Sequence, residues 1–66
     1  MVINSIKKYR SMLKLRQIDL AKDLGVSRQT IISIESGKTL PSLPLAFKLA
    51  KTFNCRVEDI FESNTF

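Results

Sequence analysis

The 66 residues contain no histidine, no tryptophan and one cysteine. One cysteine cannot close an internal disulfide. Without histidine it cannot build a zinc site either. A serine nucleophile has no imidazole to activate it, and the two glycines, twelve residues apart, make no phosphate-cradling loop. Ser27 with Glu35 is not a catalytic pair, because Ser27 sits where a helix cap is needed. The chain reads as a non-enzyme with no cofactor. No run approaches the roughly 20 apolar residues of a membrane span. The first apolar residues are too few for a signal peptide, and lysines follow rather than precede them. A cytoplasmic protein without membrane contact is expected.

What is present is a basic, globular composition. Apolar residues make up 44% and charged residues 26%, too apolar for a disordered chain. Eleven Lys and Arg against six Asp and Glu leave a net charge of +5, which favours an anionic partner, usually nucleic acid. Residues 1–66 suffice for one domain and leave no room for a separate effector domain. A chain this short buries only about 60% of its unfolded surface, so its stability should be marginal.

The chain is organised around Gln17 to Glu35, QIDLAKDLGVSRQTIISIE. Leu20, Ala21 and Leu24 share one face of a first short helix. Gly25 can end it in the left-handed conformation at little steric cost. Ser27 can cap a second helix, and Val26 between them plugs the angle. Two helices crossing through a short turn make a helix-turn-helix. In the second helix Ile31 and Ile34 fall on one side, with Thr30 beside them. Arg28, Gln29, Ile32, Ser33 and Ser36 fall opposite. Arginine matches guanine O6 and N7, glutamine matches adenine N6 and N7, and isoleucine suits the thymine methyl.

Before this unit, Met1–Ile3 is a frayed start or an edge strand. Asn4 or Ser5 can cap a first helix running to about Lys14. Ile3, Ile6 and Leu13 face the core, with Tyr9 or Arg10 completing the face. An inward Arg10 needs a partner, since an unpaired buried charge is costly. Ser36 to Pro44 is a loop in which Leu40 is core or interface. Ser42 caps a fourth helix with Leu45, Ala46, Leu49, Ala50 and Phe53 as its stripe, and Pro44 is tolerated in its first turn. Asn54 ends it. Val57, Ile60 and Phe61 suit a short last helix starting near Arg56. Glu62–Phe66 could pair with Met1–Ile3 as a small two-stranded sheet. Cys55 reads as a small hydrophobe rather than a redox sensor.

Q-x-x-L-A, G-V-S-R-Q-T-I, I-E-x-G-K and a nearby Pro-Ser together resemble the Cro- and phage-repressor-like helix-turn-helix regulators of the xenobiotic-response-element type. The residues at matching spacing are Gln17, Leu20, Ala21, Gly25, Val26, Ser27, Ile31, Ile34, Glu35, Gly37 and Pro41. The resemblance runs from Ile3 to about Phe61. Length and the short tail are most similar to the small stand-alone repressors, such as the cytolysin-operon type. It implies an all-α, five-helix lambda-repressor-like fold with the third helix in the DNA major groove. It implies an ion pair between Arg10 and Glu35, and phosphate contacts from Gln17 and from the loop carrying Lys38 and Thr39. Ser27 and Ser36 join this phosphate set. Arg16 departs from the family's Thr or Ser cap. It cannot accept the capping hydrogen bond and reads equally as incidental or as a phosphate contact.

The expected function is sequence-specific binding of double-stranded DNA by a transcriptional regulator, a repressor on a palindromic operator. No small-molecule effector site is visible. One recognition helix reads too few base pairs for a genome, so a homodimer is expected, with Leu40, Pro41, Val57, Ile60 and Phe61 at its interface. The alternative is an antitoxin that neutralises a partner toxin and autoregulates its operon.

Overall fold

A computed structural model describes residues 4–62. Its five helices are α1 Ile6–Met12, α2 Gln17–Leu24, α3 Arg28–Glu35, α4 Leu43–Phe53 and α5 Val57–Ile60. The start of α1 is held by Asn4 rather than by the Ser5 hydroxyl. Asn4 Oδ1 accepts from the Ile6 N–H at 3.2 Å, and its Nδ2 donates to the Ile34 carbonyl at 2.9 Å. One side chain thus caps α1 and ties it to the end of α3.

Four of the helices end in the same way. A residue with positive φ follows each, at Lys14 (57°), Gly25 (72°), Gly37 (80°) and Asn54 (54°). In each case the N–H of the next residue reaches back five positions to a helix carbonyl, as Leu15 does to Arg10 and Val26 to Ala21. This is the Schellman closure, which satisfies carbonyls that the helix leaves open. At Gly25 a Cβ would meet nothing within 4 Å, so glycine is required there by φ and not by space. Lysine at the equivalent place after α1 is the costly case, by about 1–2 kcal/mol for a left-handed L-residue. Because the chain turns there, α1 stops at Met12, short of Lys14, and Leu13 is turned out at 49% exposure instead of joining the core. Tyr9 takes that place, its ring stacked on Phe53 at 5.3 Å.

Leu20, Ile31, Ile34 and Leu49 form the centre of the core, with Ile6, Ala46, Phe53 and Ile60 around them. Val26 packs against this core from the turn between α2 and α3. Ile60 and Phe61, expected at a dimer interface, are core residues at 1% and 3% exposure. The reason is local. The Ser5 N–H donates to the Ile60 carbonyl at 2.8 Å, and Asn4 pairs with Phe61 in one antiparallel bridge. The end of α5 is therefore drawn back onto the start of α1. Ile3 and the expected strand pairing of Met1–Ile3 with Glu62–Phe66 lie outside the described residues, apart from Glu62. Half-buried Cys55 has its thiol pKa pushed up by burial, the opposite of what a reactive thiolate needs. Among the described residues no helix is long and apolar enough to cross a membrane.

Candidate nucleic-acid interface

The start of α3 is built on Ser27. Its hydroxyl accepts from the Thr30 N–H at 3.1 Å and shares a 2.9 Å hydrogen bond with the Thr30 hydroxyl. That cap places Arg28 and Gln29 in the first turn of α3, both exposed. Among the described residues neither side chain has a partner. Helix termini in this kind of motif are where side chains reach base edges. Ile32 and Ser33 are half-buried, further along the helix. The Ser33 hydroxyl is already bonded to the Thr39 hydroxyl at 2.7 Å, and the Ser36 hydroxyl donates to the Ser33 carbonyl at 3.0 Å. The loop after α3 is thus latched to the recognition helix, with Lys38 exposed beside the latch.

At the other end of α3, Arg10 Nε donates to Glu35 Oε2 at 2.9 Å. Arg10 Nη1 donates to the Leu15 carbonyl at 2.9 Å, which pins the turn after α1. Gln17 Nε2 also donates to Glu35, at 3.3 Å to Oε1. Glu35 therefore holds two helices by their polar side chains, with both members of the ion pair mostly out of water. The Gln17 bond joins residues 18 positions apart and has no signature in the sequence. It also fixes the orientation of the amide expected to meet a phosphate.

Arg16 is the N-terminal flank of α2. Its guanidinium donates to Asp19 at 3.0 Å, and Asp19 also accepts from the Arg16 N–H at 3.0 Å. The acid three residues on thus performs the half of a capping box that an arginine leaves possible. The Arg16 guanidinium, with the Arg16 N–H, holds the Asp19 carboxyl down at about 2 from its ordinary 3.8. A depressed folded-state pKa means that this contribution is complete above pH 4 and is lost as pH falls toward 2. Arg16 itself stays exposed.

Lys7, Arg10, Arg16, Gln17, Ile18, Arg28 and Glu35 line one open cleft of about 510 Å³. A second, apolar groove of about 260 Å³ is lined by Leu40, Pro41, Leu43, Ala46, Val57 and Phe61. Leu40 and Leu43 in its lining are half or more exposed, as is Phe47 on α4. Leu43 and Phe47 were not foreseen as surface residues. The run from Leu43 to Phe47 is apolar throughout, so the sequence carries no signal that marks them.

A capped α2-turn-α3 unit with an exposed Arg-Gln pair beside a basic cleft defines a helix-turn-helix DNA-binding domain. Residues 6–60 match the helix-turn-helix family model, and the chain belongs to that family. It is 64% identical over 58 residues to an uncharacterised HTH-type transcriptional regulator of Methanocaldococcus jannaschii, covering 88% of each chain. An uncharacterised HTH-type regulator of Bacillus subtilis is 41% identical over 58 residues, again with 88% of each covered. Among solved structures, the SOS-response transcriptional repressor LexA of Eubacterium rectale superposes with a TM-score of 0.78 at 29% identity. That match covers 83% of this chain but only 58% of the LexA chain. The protein is a DNA-binding transcription regulator of the Cro-like kind.

Proposed function

We propose that the protein represses transcription by occupying a two-fold symmetric operator as a homodimer, with α3 of each copy in the major groove. The observation that carries this reading is the exposed, unpartnered Arg28–Gln29 pair on a rigidly capped helix start. In this reading Arg28 and Gln29 select bases, with Ile32 against a thymine methyl and Ser33 at the edge of the site. Arg16, Gln17, Ser27, Ser36, Lys38 and Thr39 contact phosphates. Such contacts position a protein on DNA without reading sequence. Lys38 is the clearest of these, being exposed and cationic next to the Ser33–Thr39 latch. Lys38→Ala should weaken selected and random DNA alike, and lower the salt slope by about 0.9 per bound copy. Titration at several salt concentrations measures this, and an unchanged slope removes Lys38 from the contact set.

Pairing of two copies is supported by the apolar groove. Leu40, Pro41, Leu43 and Val57 line it, and the first two belong to the loop that follows the recognition helix. Two copies joined there would present two α3 helices to one face of the duplex. The half-sites would then lie about one helical turn, roughly 34–36 Å, apart. Selection of bound sequences from a random DNA pool should return a two-fold symmetric site. Placed across a promoter, that site should give lower reporter output when the protein is present. Ultracentrifugation should show a dimer on it, and Leu40→Glu should shift the species toward monomer, because a carboxylate buried at the contact would be unpaired. A monomer binding one asymmetric half-site with undiminished affinity would end the dimer model.

A further inference from the structure

We infer that α1 contributes a phosphate contact of its own, through Lys7, extending the DNA footprint beyond the helix-turn-helix unit. The inference rests on the DNA-binding reading above and adds to it a site on a helix outside the motif. Lys7 is exposed and lines the same cleft as Gln17 at the start of α2 and Arg28 at the start of α3. Three helices therefore present cationic or N–H-bearing side chains to one concavity.

The charge balance inside the cleft decides what it takes. Its one lining carboxylate, Glu35, is already bound by Arg10 at 2.9 Å and by Gln17 at 3.3 Å. Arg16 is paired with Asp19. Lys7 and Arg28 remain, and among the described residues neither has a charged partner. With Arg28 turned to a base, Lys7 is the cation left for a phosphate, over a carboxylate already neutralised. Ile18, 42% exposed, adds an apolar wall that suits a sugar rather than a free ion. A strand whose bases meet Arg28 carries its backbone past the cleft, and Lys7 is the lysine that meets its phosphate from α1. An ammonium on a four-carbon stem tolerates variation in phosphate position, so this contact adds affinity without sequence preference.

The test uses the full chain on the site selected from random DNA. Lys7→Ala should lower the salt slope by about 0.9 for each bound copy, which is about fivefold in affinity per copy at 0.15 M salt. The loss should be equal on selected and base-substituted DNA, and Lys7→Arg should restore the slope. Phosphate-ethylation interference should lose one sensitive phosphate per half-site in Lys7→Ala. If slope and interference pattern are unchanged in Lys7→Ala while Lys38→Ala alters both, α1 makes no contact and the DNA-binding reading stands without it. If no sequence is enriched and no salt-dependent DNA binding is seen, both fail together. A third arm titrates inorganic phosphate into the free protein. Saturable binding that depends on Lys7, with an unchanged DNA salt slope, would assign the cleft to a free anion and overturn the proposal.

Discussion

Arg10→Ala should cost about 3 kcal/mol of folding stability, the lower end of the 3–5 kcal/mol for breaking a buried ion pair. The lower end applies because the pair keeps some contact with water, at 15% and 10% side-chain exposure. The loss has three physical parts. Glu35 is left as a largely desolvated carboxylate with only the Gln17 amide against it. The Leu15 carbonyl loses its donor. The turn after α1, already strained at Lys14, loses its tie to α3. A chain of this length has roughly 0.05–0.15 kcal/mol of stability per residue, so about 3–10 kcal/mol in all. Removing 3 kcal/mol should therefore lower Tm by roughly 12–24 °C, at 4–8 °C per kcal/mol for a small domain. Glu35→Gln should be nearly as harmful, since it strands the Arg10 charge. Arg10→Met combined with Glu35→Leu should be milder than either single change, because no charge is left buried alone. Thermal melts of Arg10→Met, Glu35→Leu and the double variant beside the wild type make a complete cycle, to which Arg10→Ala and Glu35→Gln add the single-partner losses. Single variants melting with the wild type would show that the pair contributes nothing to folding.

The parts of the fold that could be read in the sequence are those governed by short-range rules. Apolar spacing located α2, α3 and α4, and Ser27, Ser42 and Asn54 stand at the helix ends where their hydrogen bonding suits them. Leu13 was misread because the end of α1 depends on a lysine adopting a conformation that lysine disfavours. Ile60 and Phe61 were misread because a four-residue helix has no face that periodicity can identify. What draws them in is the pairing of Phe61 with Asn4 and of the Ile60 carbonyl with the Ser5 N–H, at the opposite end of the chain. In α4 the run Leu43 to Phe47 is apolar throughout, so the sequence cannot say which of its members stay outside. The candidate interface was legible at Arg28 and Gln29, since helix phase alone turns them outward. The locking of Ser33 by Thr39 and of Gln17 by Glu35 was not. Each is a contact between side chains whose approach only the packed helices decide.

That distinction separates the base-reading residues by expected effect. Arg28→Ala and Gln29→Ala should each cost about 1–3 kcal/mol per half-site on the selected operator, the worth of one bidentate base contact. At 1.4 kcal/mol per tenfold, this is roughly 5–150-fold for each half-site, and both half-sites lose it together. Arg28 is the first residue of α3, exposed and without a partner, so its guanidinium fork is free to pair with guanine O6 and N7. Gln29 beside it has an amide of the right pattern for adenine N6 and N7. Ser33→Ala should matter less, because its hydroxyl is engaged by Thr39 and its removal loosens a loop rather than a base contact. The decisive quantity is the ratio of affinities for the selected site and for random DNA. Arg28 also lines the basic cleft, so a phosphate role would predict an equal loss on both. A base-reading role predicts loss on the selected site alone, with tolerance appearing at one base pair when the selection is repeated with each variant. If Arg28→Ala and Gln29→Ala leave that ratio unchanged, α3 does not read sequence through its first turn.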